Sequence, residues 1–166
     1  MDIVLIGRIA ESAALKTANE KKEELAGVYP SSYLVNGISA LEVEFVSQEI
    51  LMEALKLSVY MNVISGESVL DALWHTGEEL GKGLRVYRDN FPTTQFAIEM
   101  AEVDGRDPLK SDSTGCVICV AKNAGRLCSM LRKKGVNYAV IGYITNDNDR
   151  CIIKDHVRSY ITKADD

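Results

Sequence analysis

Long apolar runs are missing from this sequence. No stretch approaches the length of a membrane span, and Ile3–Ile6 is long enough only for a buried strand. The opening MDIVLIGRIAES has no basic region and no small-residue cleavage site, which excludes a signal peptide and makes the cytoplasm the expected compartment. An excess of positive charge is missing too. Lys and Arg number 19 against 24 Asp and Glu, for a formal charge of −5. No basic stripe is available to displace counterions from nucleic acid. The densest basic cluster, Arg126 to Lys134, falls on one predicted helix and reads as a solvated face. Cysteine is limited to four residues and histidine to two. Cys116 and Cys119 form one C-x-x-C, with no second pair and no ligand spacing from His75 or His156. On the strand predicted there, side chains three apart point to opposite faces, so the sulfurs do not converge on a metal. Buried or half-buried thiols are expected, and no metal site.

What is present is a globular composition. The 166 residues are 46% hydrophobic and 26% charged, enough for one ordinary domain with a real core. Ile3–Ile9 reads as a strand and Glu11–Leu25 as a helix. Ser31–Leu57 reads as helix in two pieces, weakened at Gly37, with Ile50, Ala54 and Leu57 on the apolar face of the second. Val59–Ile64 is extended. A helix follows, with Val69, Leu73, Gly77 and Leu80 on one face, and Gly81-Lys82-Gly83 ends it. Leu84–Tyr87 is a strand, and a helix follows with Pro92 in its first turn. After a polar loop come a strand at Cys116–Ala121, a helix at Ala124–Lys134 ended by Gly135, and strands at Tyr138–Thr145, Cys151–Lys154 and Arg158–Thr162. This order predicts an α+β fold of mixed layers, a mixed sheet with helices packed on it, as a single domain over residues 1–166.

The order of these pieces, with particular residues, resembles the C-terminal domain of the aminoimidazole ribonucleotide (AIR) synthase-related superfamily, and within it the hydrogenase expression/formation branch. Asp2, Ile3, Val4 and Gly7 fit an opening D-x-I-V-x-x-G strand. Met61 and the run Ala72-Leu73-Trp74 fit an apolar approach, M-H-D-V-T-E-G-G, leading into an A-L-W helix. Gly81, Gly83, Leu84 and Val86 fit a glycine-rich strand start. Pro92 fits a Pro-led helix, and Asp107-Pro108-Leu109 a D-P-L turn. Ser113 and Gly115 fit an S-x-G strand start, and Ala139, Ile141, Gly142, Ile144 and Thr145 the A-x-I-G-x-[IV]-T strand. The resemblance implies the family's C-terminal fold, without the nucleotide-binding half that precedes it in full-length members. ATP and Mg are implied for those relatives only, and no cofactor is expected for this chain alone. Neither G-x-x-x-x-G-K-[ST] nor G-x-G-x-x-G occurs here. The hydrogenase-maturation relatives end in a reactive cysteine, whereas this chain ends in ITKADD.

The departure with most chemical content lies in YMNVISGESVLDALW. Asn62 and Val63 stand in the family's His and Asp places, and Glu67 and Ser68 in its two glycine places. Paired glycines at a helix start let backbone N–H groups approach a phosphate. Side chains there close the approach. Ser68 can cap the helix, with Asp71 three residues on, and Glu67 puts a negative charge where an anion would come. Asn62, Ser65, Gly66, Glu67 and Ser68 are therefore the candidate ligand-binding set, read as a degenerate anion turn, and no catalytic residue is assigned. His75 reads as a half-exposed surface residue without a carboxylate partner. Asp104, Asp107 and Asp112 read as solvated turn residues, and Tyr29, Tyr33, Phe45 and Tyr60 as core or interface aromatics.

Two functional readings follow. The first is a non-catalytic interaction module that forms a homodimer or docks on a separate protein of the N-terminal-domain type. The second is the substrate-side half of a split or truncated ATP-dependent enzyme.

Overall fold

The computed structural model describes residues 1–41 and 46–163. Strand β1 (Asp2–Ile6) is the N-terminal apolar run. Ile3 and Leu5 enter one core cluster and Val4 and Ile6 another, on opposite faces. A strand buried on both faces needs this continuous apolar sequence. It ends at Ile6 rather than Ile9, because Gly7 turns the chain at φ 95°. The single helix expected over Glu11–Leu25 is two, α1 (Glu11–Glu20) and α2 (Lys22–Ala26). They break at Lys21, whose ammonium reaches across to Asp104 at 2.8 Å. Helices α3 (Ser31–Ala40) and α4 (Gln48–Lys56) are the two pieces expected next. Gly37 lies inside α3 and weakens nothing there. A Cβ at that position would stand 2.4 Å from the Phe96 ring, so the glycine admits the ring against the helix.

Strand β2 (Tyr60–Val63), helix α5 (Val69–Leu80) and strand β3 (Gly83–Tyr87) follow. In α5, Val69, Leu73 and Gly77 are buried on one face as the periodicity predicts. Arg150 stacks on Trp74 at 4.3 Å and passes over Gly77. Helix α6 (Gln95–Val103) starts later than expected. Thr94 caps it, its hydroxyl accepting from the Ala97 N–H at 3.2 Å, and Pro92 stands outside with its carbonyl bonded to the Ile9 N–H. Strand β4 (Val117–Ala121), helix α7 (Ala124–Lys133) and strands β5 (Tyr138–Thr145), β6 (Arg150–Lys154) and β7 (Val157–Tyr160) complete the order.

The strands form one seven-stranded sheet in the order β2-β4-β1-β5-β3-β6-β7. Among the described residues only β3 and β6 pair in parallel, so the sheet is mixed, as expected. Helix α5 covers one face. Its Val69, Ala72 and Leu73 join Ile3, Leu5, Leu84, Val86, Ile118 and Ile141. On the other face, α4 and α7 bring Ala54, Leu127 and Leu131 against Val4, Ile6, Val117 and Cys119. A third cluster packs α1 and α6 together through Ala14, Ala18, Phe96, Ala97 and Met100. On the α7 side, Tyr87 of β3 and Val140 and Tyr143 of β5 are about two-fifths exposed (38%, 41% and 39%), while Arg85 and Cys151 in the neighbouring row are buried.

Cys116 and Cys119 point into opposite clusters, as the strand reading requires. Burial pushes their thiols up, to about 12 and about 11. Among the described residues no group of three or more His, Cys, Asp or Glu is arranged around a metal. Among the same residues no helix is long and apolar enough to cross a membrane.

Candidate functional site

The turn between β2 and α5 is fastened to the segment that leads into β4. Ile64 exchanges backbone bonds with it: its N–H donates to Cys116 O (2.8 Å) and its carbonyl accepts from Gly115 N–H (3.0 Å). Gly66 takes φ 70°, a conformation open to glycine, and its N–H donates to Thr114 Oγ1 at 2.9 Å. The Thr114 hydroxyl in turn donates to Asp112 Oδ1 at 2.5 Å. The Glu67 carbonyl accepts from the Ser113 N–H at 3.0 Å. Ser68 is buried, and its hydroxyl accepts from the Asp71 N–H at 3.2 Å, the expected cap. The N–H groups of Gly66 and Asp71, two donors that a phosphate would use, are therefore spent inside the protein.

Glu67 lies half-buried beside this cap. Burial raises its carboxyl above the ordinary carboxylate range, while His75 and the Asn62 amide pull the other way. His75 has carboxylate partners, against the sequence reading; Glu78, three residues on in the same helix, is one that helical spacing offers, and Glu67 is not. Its Nε2 is 3.5 Å from Glu67 and its Nδ1 is 3.5 Å from Glu78. The contact to Glu67 spans the junction of turn and helix, where helical spacing gives no guide. Asn62 is half-buried on β2, and Ser65 is exposed.

The turn opens on a cleft of about 520 Å³ between α1, the start of α5 and the loop after α6. Lys16, Arg106 and Lys110 line it with Glu20, Glu67, Asp71, Asp104 and Asp112, three cations against five carboxylates. That balance disfavours an incoming polyanion. The three loop aspartates do not converge. Asp104 bonds Lys21 and Thr17, Asp107 pairs with Arg88 at 2.5 Å, and Asp112 holds Thr114. The pairing with Lys21 and Thr17 holds the Asp104 carboxyl below its usual range.

The candidate set Asn62, Ser65, Gly66, Glu67 and Ser68 is thus adjacent in space. The partners that close it, Asp112, Ser113 and Thr114, were missed in the sequence apart from the S-x-G signal at Ser113 and Gly115. Of the aromatics, Tyr29 stacks on Tyr33 at 5.4 Å and Tyr33 meets Phe96 edge-on, while Tyr60 packs on the α5-side core. Phe45 lies outside the described residues.

No family model matches this chain. A curated protein of Methanocaldococcus jannaschii, named for hydrogenase expression/formation, is 26% identical over 111 residues, which is 64% of this chain and 33% of that protein. The crystal structure of E. coli HypE, a hydrogenase maturation protein, superposes at a TM-score of 0.75 with 14% identity, over 98% of this chain and 49% of that one. Thiamine-monophosphate kinase of Stenotrophomonas maltophilia K279a superposes at 0.67 with 16% identity, over 91% and 49%. HypE has also been solved with ATP and with HypF, and those structures superpose at 0.75 and 0.71, with 10% and 14% identity. They are covered over 51% and 52% of their length, and this chain over 99% and 98%.

The fold is therefore that of the AIR synthase-related superfamily, a mixed α+β architecture. Within it, the similarity runs to the hydrogenase-maturation branch. The chain spans a third of the curated relative and about half of the solved structures.

Proposed function

We infer that this chain is a non-catalytic interaction module on the AIR synthase-related fold, a single domain in which the turn before α5 has given up anion binding. The observation that carries this reading is the turn itself. Gly66 and Asp71 donate their N–H groups to Thr114 and Ser68. Glu67 and four further carboxylates face the adjoining cleft. No nucleotide, metal or nucleic acid is assigned to this chain, and its setting is read as cytoplasmic. HypE has been solved in complex with HypF. By analogy, the partner here is a protein, either a second copy or a protein of the N-terminal-domain type.

Isothermal calorimetry of the chain with ATP–Mg tests this. No binding heat is expected, and saturable binding would overturn the reading. One observation favours a second reading, the substrate-side half of a split ATP-dependent enzyme. The chain spans 51% of a HypE solved with ATP. Under that reading, adding a separately produced nucleotide-binding half confers ATP turnover that neither piece has alone.

A further inference from the structure

We propose that the free edge of β7 takes an acidic, extended segment of another protein as an added strand. The inference rests on the interaction-module reading and gives the partner a chemistry. Strand β7 ends the sheet and pairs only with β6 among the described residues. The two strands join through Asp155 and His156, at φ 50° and 64°, a tight two-residue turn. Ladder bonds alternate from there. Lys154 with Val157, Ile152 with Ser159, and Arg150 with Ile161 are the bonded pairs, the last marked by the Ile161 N–H donating to the Arg150 carbonyl at 2.8 Å. Arg158 and Tyr160 fall between these pairs, so their N–H and C=O groups point away from the sheet. Both residues are exposed. Two donors and two acceptors therefore stand in line along the edge.

Charge selects the occupant. From Lys154 to Lys163 there are three cations and one carboxylate, in a chain whose formal charge is −5. Lys154 and Arg158 are exposed and have no ion-pair partner among the described residues. A cleft of about 520 Å³ runs beside β7, where Arg88, Lys110 and Lys163 stand against Asp71 and Asp107. That is the reverse of the balance at the turn before α5. The other end of the sheet, β2, carries no charged residue and so selects nothing by charge. A second copy offering its own β7 would set cations against cations. An acidic strand complements the edge instead. Aligned antiparallel, it exchanges four backbone bonds with Arg158 and Tyr160. Two of its side chains then lie beside Arg158 and Tyr160, and the one between them faces the side of Ser159, which lines the cleft. Val157 and Tyr160, 64% and 65% exposed, offer apolar contact on the two faces.

Amide exchange followed by NMR on the full chain tests this, with a hexapeptide alternating glutamate and valine, acetylated and amidated, as the probe. At saturation the Arg158 and Tyr160 amides should exchange about tenfold more slowly, while Val157 and Ser159, already bonded to β6, should not change. Added salt should weaken the binding. Arg158→Glu should weaken it about tenfold, because an opposite-charge neighbour becomes a like-charge one. Tyr160→Pro should weaken it more than Tyr160→Ala, since proline removes an outward N–H that β6 does not use. Circular dichroism confirms that each variant keeps the fold. Absence of binding to the wild-type chain would overturn the proposal. So would equal binding of a lysine–valine peptide, or protection of amides elsewhere with Arg158 and Tyr160 unchanged. None of these results touches the calorimetric test of nucleotide binding, so the two readings fail separately.

Discussion

Replacing Ser68 tests whether the turn before α5 is held by its own cap. Ser68 is 6% exposed, sits at φ −81° and ψ 164°, and accepts the Asp71 N–H at 3.2 Å. Ser68→Ala removes the acceptor and leaves that donor unpaired, an expected loss of about 1 kcal/mol. Ser68→Gly is expected to cost only a few tenths of a kcal/mol, because a small residue lets water reach the freed N–H. With an unfolding entropy of about 2.1 cal/mol/K per residue, a chain of this length moves roughly 3 °C in Tm per kcal/mol. Differential scanning calorimetry should therefore give the order serine, glycine, alanine, with alanine about 3 °C below wild type. Backbone entropy alone gives the reverse order of glycine and alanine. If the glycine variant melts below the alanine variant, the cap is not what holds this turn.

Glu67 gives a pH-dependent counterpart. Its carboxyl is raised, chiefly by burial, so the fold binds the proton more tightly than the unfolded chain does. Its contribution is greatest in acid and is lost as pH rises through the folded value. Glu67→Gln is expected to raise Tm at about pH 7 and to give no gain near pH 4; an unchanged difference across that range would count against burial as the cause. Gly142→Ala would put a Cβ 1.9 Å from the Arg85 carbonyl oxygen, in the β3–β5 ladder. It should cost at least about 3 kcal/mol, read as a lower urea midpoint, and a near-wild-type midpoint would mean that the strands part without penalty. Leu127→Ala, on the buried face of α7, should cost about 2–5 kcal/mol by the same measurement.

Local features were legible in the sequence to the extent that local physics sets them. The continuous apolar run of β1, the opposite facing of Cys116 and Cys119, and the Ser68 cap follow from strand alternation and from a side chain placed before a helix. Features set by distant residues were not legible. The partner of Lys21 at the break, Asp104, is far away in sequence. The closed turn depends on Thr114, 48 residues beyond Gly66. Gly37 reads locally as a weak point, and only the Phe96 ring explains it. His75 acquires Glu67, from the turn before the helix, as a neighbour that helical spacing does not encode. At the site, the rewritten residues were readable, but the donors and carboxylates that surround them come from three separate segments.

The position of β1 has a consequence for how the chain is made. Among the described residues, β1 pairs with β4 and β5, residues 117–121 and 138–145, and with no earlier segment. During synthesis it leaves the ribosome long before either neighbour exists. Asp2–Ile6 therefore waits as an unpaired apolar segment, and the centre of the sheet closes only when the last third of the chain arrives. Until those partners appear, the apolar strand is open to non-native pairing, the characteristic hazard of long-range sheet closure.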